Sequence, residues 1–258
     1  MVWPTQPHRS THSKASELGT LFVVATPIGN LDDITLRAIE TLRSVHLIAC
    51  EDTRRTRKLL SRLEISAGGA GALLSYFEGN ELARTEKIIA QLRRGNDVAL
   101  VSDAGTPAIS DPGFPLLRAA IEHGIRVVPV PGPSAPTALL SASGMPTDRF
   151  LFEGFLPRKK GKRAARISEW KELSATVVLF ESPKRIARTL QELLELLGDR
   201  EAAIGRELTK LHEEIVRGRL SELAQRFSGS DVKGEIVLAI AGAGKRTSLR
   251  SKSTSPKR

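Results

Sequence analysis

The sequence holds a single cysteine, Cys50, in 258 residues. One cysteine excludes an intrachain disulfide and a cysteine cluster for zinc, and it suits the reducing cytoplasm. Histidine is nearly as scarce. His8, His12, His46, His123 and His212 are scattered, so no metal site is expected. Residues 127–147 carry no charge, but Pro129, Pro131, Pro133, Pro136 and Pro146 interrupt them. That pattern argues against a membrane helix and for strand, turn and helix in succession. The N-terminus lacks the apolar core of a signal peptide. Two common nucleotide motifs are missing as well. Pro27-Ile28-Gly29-Asn30-Leu31 stands where a G-x-G-x-x-G would follow the first strand. Gly244-Lys245 lacks both the upstream glycine and the following Ser/Thr of a P-loop. NAD and ATP are therefore disfavoured. No internal repeat is present.

What is there describes a globular chain. Hydrophobic residues make up 40% and charged residues 26%, enough for one large or two small domains with a good core. The formal charge of +10 is unevenly spread. Arg158, Lys159, Lys160, Lys162, Arg163 and Arg166 fall within nine residues with no acid among them. Lys245, Arg246, Arg250, Lys252, Lys257 and Arg258 crowd the C-terminus. Setting these twelve cations aside takes the net charge from +10 to −2. Such local basic segments favour a polyanion, most simply nucleic acid; the alternative is a solubilising tail and a solvated loop.

Residues 98–113, V-A-L-V-S-D-A-G-T-P-A-I-S-D-P-G, organise the rest. Four apolar residues read as a strand buried on both faces. A run of small, polar and turn-forming residues follows, and then a helix. Strand, small-residue loop, helix is the arrangement that puts a ligand at the C-terminal end of a strand. Asp103 can accept hydrogen bonds from a ligand, and Gly105 allows close approach to the backbone.

Further strands are expected at residues 21–25, 45–50, 72–76 and 126–130, alternating with helices, which implies a parallel, doubly wound sheet. Asp33 is expected to cap the first helix, and residues 67–71 to form a loop. After about residue 147 the texture changes. Strands at 150–152, 176–180, 202–206, 212–216 and 235–241, with a helix over 186–197 and a turn at Arg217-Gly218, imply a second α/β domain with a mixed sheet. The expected division is a flexible leader over 1–18, an N-terminal α/β domain over 19–132, a C-terminal α/β domain over 133–242, and a disordered basic tail over 243–258.

Three loops should converge if the first sheet is parallel: 26–30, 102–113 and 131–135. Their small residues leave room for a flat ring and expose backbone groups to it, as a nucleoside-containing cofactor requires. Glu51-Asp52-Thr53-Arg54-Arg55 puts two carboxylates at a strand end beside a basic helix. A carboxylate there can orient or deprotonate a hydroxyl while the arginines hold phosphates; helix capping with a solvated basic face is the competing explanation. Residues 206–214, R-E-L-T-K-L-H-E-E, either face a cleft or form a polar hairpin.

The strings T-P-I-G-N-L-D-D-I-T, E-D-T-R, V-S-D-A-G-T-P-x-I-S-D-P-G, V-P-G-P-S-A, F-E-G-F-L-P and R-E-L-T-K-x-H-E-E, in this order, resemble the ribosomal RNA small subunit methyltransferase I family. It is the cytidine-2′-O-methyltransferase branch of the tetrapyrrole methylase superfamily. The resemblance runs from about residue 21 to 241. It implies S-adenosylmethionine as methyl donor, two α/β domains with the cofactor in a cleft between them, and a homodimer in the cytoplasm. The implied substrate is the ribose 2′-hydroxyl of a cytidine in small-subunit (16S) ribosomal RNA. Carried over by motif, the cofactor positions are Pro27, Gly29, Asp103, Ala104, Gly105, Thr106, Pro131, Ser134, Phe155 and Leu156. Glu51, Asp52, Glu207 and Lys210 are the catalytic candidates. Arg54, Arg55, Arg158, Lys159, Lys160, Lys162 and Arg163 are the RNA-binding candidates. One departure stands out: the family often carries H-x-H-N-E after the third strand, and here Tyr76-Phe77-Glu78-Gly79-Asn80-Glu81 lacks both histidines. Two other activities stay open at this point, a methylase of a tetrapyrrole ring and a non-catalytic RNA-binding assembly factor.

Overall fold

A computed structural model describes residues 18–65, 72–229 and 232–244. The expected leader and basic tail therefore lie outside the described residues, apart from Leu18, Ala243 and Gly244, as does the loop at 67–71. The chain divides between Ser134 and Ala135 into two compact units.

The first unit is one five-stranded sheet. Its strands are β1 (Leu21–Val24), β2 (Leu47–Cys50), β3 (Ala72–Ser75), β4 (Val98–Val101) and β5 (Val127–Val130), in the order β3-β2-β4-β1-β5. All pairs are parallel. Every residue of β2 and β4 is buried, because helices cover both faces of the sheet. Pro129 sits in β5, an edge strand, where its missing N–H disturbs least. Helices α1 (Leu36–Ser44) and α2 (Thr53–Arg62) place Ala38, Leu42 and Leu60 on one face, against Ile48 and Val101. Helices α3 (Glu81–Arg93) and α4 (Phe114–Glu122) place Ile88, Leu92 and Leu116 on the other, against Ala49 and Leu100. Right-handed crossovers demand this split: the chain steps one way along the sheet from β1 to β3, then reverses for β4 and β5. At the C-terminal end of β4 the chain leaves toward one face, while its neighbours β1 and β2 leave toward the other. That is the switch point at which an open α/β sheet forms a crevice.

Asp33 does not cap α1. It lies in a 3-10 turn, Leu31–Asp33, and Thr35 is the cap, its side chain accepting from the Ala38 N–H. Both residues are good N-cap types, and the extra turn shifts the start by two residues.

The second unit is a mixed sheet, β6-β7-β10-β8-β9, of β6 (Phe150–Phe155), β7 (Thr176–Glu181), β8 (Glu201–Arg206), β9 (Glu214–Arg219) and β10 (Ile236–Ile240). Only β6 and β7 run parallel. Helices α6 (Lys160–Ser168), α7 (Ile186–Leu197) and α8 (Leu220–Phe227) bury Ile167, Leu190, Leu193, Leu223 and Phe227 with Trp170 against Leu179, Ile204 and Leu238. Helix α5 (Ala135–Ser143) packs against β8, β9 and β10. The turn expected at Arg217-Gly218 is instead the middle of β9, with Arg217 opposite Ala203 and Gly218 opposite Ala202. A Cβ on Gly218 would stand 2.6 Å from a Glu222 carboxylate oxygen, the free end of a side chain that would have to move aside.

Candidate functional site

At the switch point the loops are joined by specific bonds. Thr26, just past β1, and Gly105, past β4, exchange both backbone hydrogen bonds, at 2.9 and 3.0 Å. The Thr26 hydroxyl also donates to the Ser102 carbonyl at 3.2 Å. Gly105 takes φ +80°, which favours glycine, and a Cβ there would point at Ile28 (3.5 Å) and the Pro133 carbonyl (3.9 Å). The loops after β1, β4 and β5 therefore meet around Gly105. Its own N–H and C=O are taken by Thr26, so Gly105 joins loops rather than offering hydrogen bonds. Pro27, Ala104, Thr106 and Ser134 are half-buried around it, and Gly29 and Pro131 are exposed.

The end of β2 belongs to the same rim. Asp103 Oδ1 accepts from the Asp52 N–H at 3.1 Å, and Asp103 Oδ2 pairs with Arg55 at 3.2 Å. Asp52 caps α2 by accepting from the Arg54 N–H at 2.8 Å, and it also holds the Arg54 guanidinium. Those bonds pull its carboxyl down to about 2. Asp52 thus acts as cap and anchor and is a poor base. Glu51 differs: burial, then the nearby Asp103 charge, push its carboxyl up.

Asp111, which the sequence offers only as a turn residue, joins this group. Burial raises its carboxyl to about 6, and the Glu51 and Asp103 charges add to that against a hydrogen bond from Ser102. The loop that delivers it holds Ala108 at φ 66° and Ser110 at φ 63°, left-handed conformations that non-glycine residues adopt at a penalty. The repeated Ser-Asp pair, 102–103 and 110–111, is the sequence signal that could have marked it. The departing Tyr76–Glu81 string has a structural job beside it: Glu81 accepts from the Gly113 N–H at 2.8 Å and ties the end of the loop to α3.

In the second unit, the loop between β8 and β9 folds around Glu207 and Lys210. One oxygen of Glu207 accepts from Lys210 Nζ and from the Glu235 N–H, both at 2.8 Å, and Lys210 also reaches Glu235 at 3.1 Å. The Lys210 hydrogen bond, then the Glu235 N–H, lower the Glu207 carboxyl. Burial opposes the charge on Lys210, but its bonds to Glu207 and Glu235 outweigh it and raise the ammonium. Glu207 and Thr209 have φ of 51° and 66°. Glu207 holds this loop in shape, and Lys210 is a fixed cation. His212 is exposed.

The basic segment after β6 is only partly available. Arg158, Lys159, Lys160 and Lys162 are exposed. Arg163 is not: its side chain is 3% exposed and grips Glu192 of α7 with two nitrogens. Its remaining nitrogen donates to the Pro157 and Arg158 carbonyls at 3.1 and 2.8 Å. Arg163 is thus removed from the RNA-contacting set, because a buried guanidinium already satisfied by a carboxylate has nothing to give a phosphate. Leu156 is buried in the second core, and its carbonyl already accepts from Arg185 at 3.0 Å. Phe155 is exposed.

Among the described residues, no group of three or more His, Cys, Asp or Glu is placed to hold a metal ion, and no helix is long and apolar enough to cross a membrane.

The model of the tetrapyrrole (corrin/porphyrin) methylase family matches residues 20–224. The ribosomal RNA small subunit methyltransferase I of Mesorhizobium japonicum is 53% identical over 225 residues, covering 86% of this chain and 75% of that protein. Its counterpart in Thermotoga maritima is 48% identical, covering 87% of this chain and 99% of that protein. Among solved structures, a cobalt precorrin-4 methyltransferase of cobalamin biosynthesis superposes with a TM-score of 0.60 at 19% identity, over 85% of this chain and 94% of that one. A uroporphyrin III C-methyltransferase from Thermus thermophilus gives 0.60 at 17%, over 86% and 97%. At those identities the solved structures speak for the fold.

Proposed function

Since the chain belongs to the tetrapyrrole methylase family, we propose that it transfers a methyl group from S-adenosylmethionine to the ribose 2′-hydroxyl of a cytidine in small-subunit ribosomal RNA. The observation that carries this is the Thr26–Gly105 exchange together with the Asp103–Asp52 bond, which gathers loops from β1, β2 and β4 at one switch point, with the Pro133 carbonyl of the β5 loop facing Gly105. Relatives at 48–53% identity named for ribosomal RNA favour that substrate over a tetrapyrrole ring, and a methyltransferase over a bare assembly factor.

The residues fit the donor. Glu51, Asp103 and Asp111 make the rim acidic, and burial leaves two of these carboxylates with raised affinity for a proton. A cation placed among them relieves that repulsion, so the site suits a positively charged sulfur. Bound there, S-adenosylmethionine supplies a methyl group that is already activated. The protein's work is then alignment. Asp103 and the backbone of Ala104 and Thr106 hold the donor, with Pro27, Gly29, Gly105, Pro131 and Ser134 beside it. Of the carboxylate candidates, Glu51 and Asp111 keep the basicity to take a proton from a hydroxyl; Asp52 and Glu207 are spent on Arg54 and Lys210. The exposed Arg158, Lys159, Lys160 and Lys162 hold RNA phosphates. The same reading makes the protein a cytoplasmic homodimer.

Incubation with labelled S-adenosylmethionine and unmodified small ribosomal subunits tests the proposal. Label in the RNA supports it; label in an added porphyrinogen, with none in RNA, refutes it.

A further inference from the structure

Helix α2 carries five cations, Arg54, Arg55, Arg57, Lys58 and Arg62, and no acid. Its buried residues are Thr56 and Leu60. At 100° per residue the opposite side of the helix is occupied by Arg54, Lys58 and Arg62, a stripe at i, i+4 and i+8. Successive members rise by about 6 Å. The inner end of the stripe is fixed: Arg54, 85% exposed, is held by Asp52, and Arg55 alongside by Asp103, both at the switch point. Lys58 and Arg62 are exposed, and neither side chain makes an ion pair or hydrogen bond with any described residue. Arg43 of α1 donates to the Leu63 carbonyl at 3.2 Å, which secures the outer end of α2 and adds a further positive charge beside it. A row of cations on a rigid element, beginning at a candidate active site and leading away from it to two members without an acidic partner among the described residues, has the charge and spacing to follow successive phosphates of one strand.

We infer that this face of α2 is a docking surface for the phosphate backbone of the RNA substrate, with Lys58 and Arg62 as its outer contacts. The inference rests on the proposed RNA methyltransferase activity and extends it to a surface on the first unit, separate from the basic segment after β6. It assigns Arg54 and Arg55 a double duty, positioning the strand-end carboxylates and starting the track. The surface reads charge, so it sets affinity and salt dependence and leaves base choice to other contacts.

The test is RNA binding by full-length protein across a range of salt concentrations, using a small-subunit ribosomal RNA fragment. The Lys58→Ala/Arg62→Ala variant is expected to bind about tenfold more weakly at moderate salt, and the slope of log affinity against log salt to become shallower by roughly 1.5. Lys58→Glu/Arg62→Glu should weaken binding further. S-adenosylmethionine affinity and melting temperature should not change, because both side chains are exposed. A Lys87→Ala/Arg93→Ala variant on α3, across the sheet, should bind like wild type. Wild-type affinity and slope in the Lys58/Arg62 variants would overturn the inference while leaving the proposed activity intact, provided the wild type binds and methylates the fragment. Wild-type protein that binds anionic phospholipid vesicles but no RNA would overturn both.

Discussion

Removing the Glu192 carboxylate should unfold the second unit far more readily than its position on a helix surface implies. Arg163 is 3% exposed and Glu192 12%. Glu192 holds two Arg163 nitrogens and also accepts from Arg188 at 3.0 Å. The Arg188 contact is exposed on one side and contributes under about 1 kcal/mol. Glu192→Leu leaves Arg163 buried with its charge uncompensated, which costs about 3–5 kcal/mol. For a domain of this size that lowers the melting temperature by roughly 10–20 °C. Arg163→Met/Glu192→Leu removes both charges, and the carbonyls it abandons belong to Pro157, half-buried, and Arg158, exposed. The double variant should therefore recover most of the loss. Calorimetric unfolding of the wild type, both single variants and the double variant gives the coupling energy. A single-variant loss below about 1 kcal/mol would show that the pair is not buried and would return Arg163 to the RNA-binding set. The pair also sets an acid limit. Arg163 hydrogen bonding holds the Glu192 carboxyl below its ordinary 4.5, so its contribution is complete above that pH and drains away as pH falls through the lowered value.

Asp111 predicts the opposite slope. Its carboxyl rises from 3.8 to about 6 in the folded protein, so stability falls as pH rises across that window. At full weight the shift is worth about 3 kcal/mol, and partial solvent access reduces it to about 1–2. Asp111→Asn should flatten stability between pH 4 and 7, at the levels that pair of values sets, and should lower kcat; unchanged unfolding curves across that range would remove Asp111 from the account. Asp103→Ala frees the Asp52 N–H and Arg55. It should weaken S-adenosylmethionine by about 10- to 100-fold in calorimetry, the effect of losing one or two charge-assisted bonds. Full affinity in that variant would show that the rim does not hold the donor.

How much of this was visible beforehand depended on whether the signal was local. The strands of the first sheet announce themselves as short apolar runs ended by Gly, Pro or Asp, and the parallel order follows from alternation with helices. Asp103 was legible because it sits two residues past such a run. Helix α8 was missed although Leu220, Leu223, Ala224 and Phe227 fall at helical spacing; they directly follow a strand with no break between. Arg163 looked like its basic neighbours because its partner is 29 residues away. Gly218 was mistaken for a turn because nothing in the string shows that Glu222 folds back over it. Asp111 acquires its basicity from burial beside Asp103 of its own loop and Glu51, which is 60 residues earlier in the chain and meets it only once the sheet is assembled.

The most direct measurement is nucleoside mass spectrometry of small-subunit ribosomal RNA from cells with and without this protein. The account predicts a 2′-O-methylated cytidine that disappears when the protein is absent and returns with the wild type but not with Asp103→Ala. A ribose-methylation profile identical in both cells would contradict it.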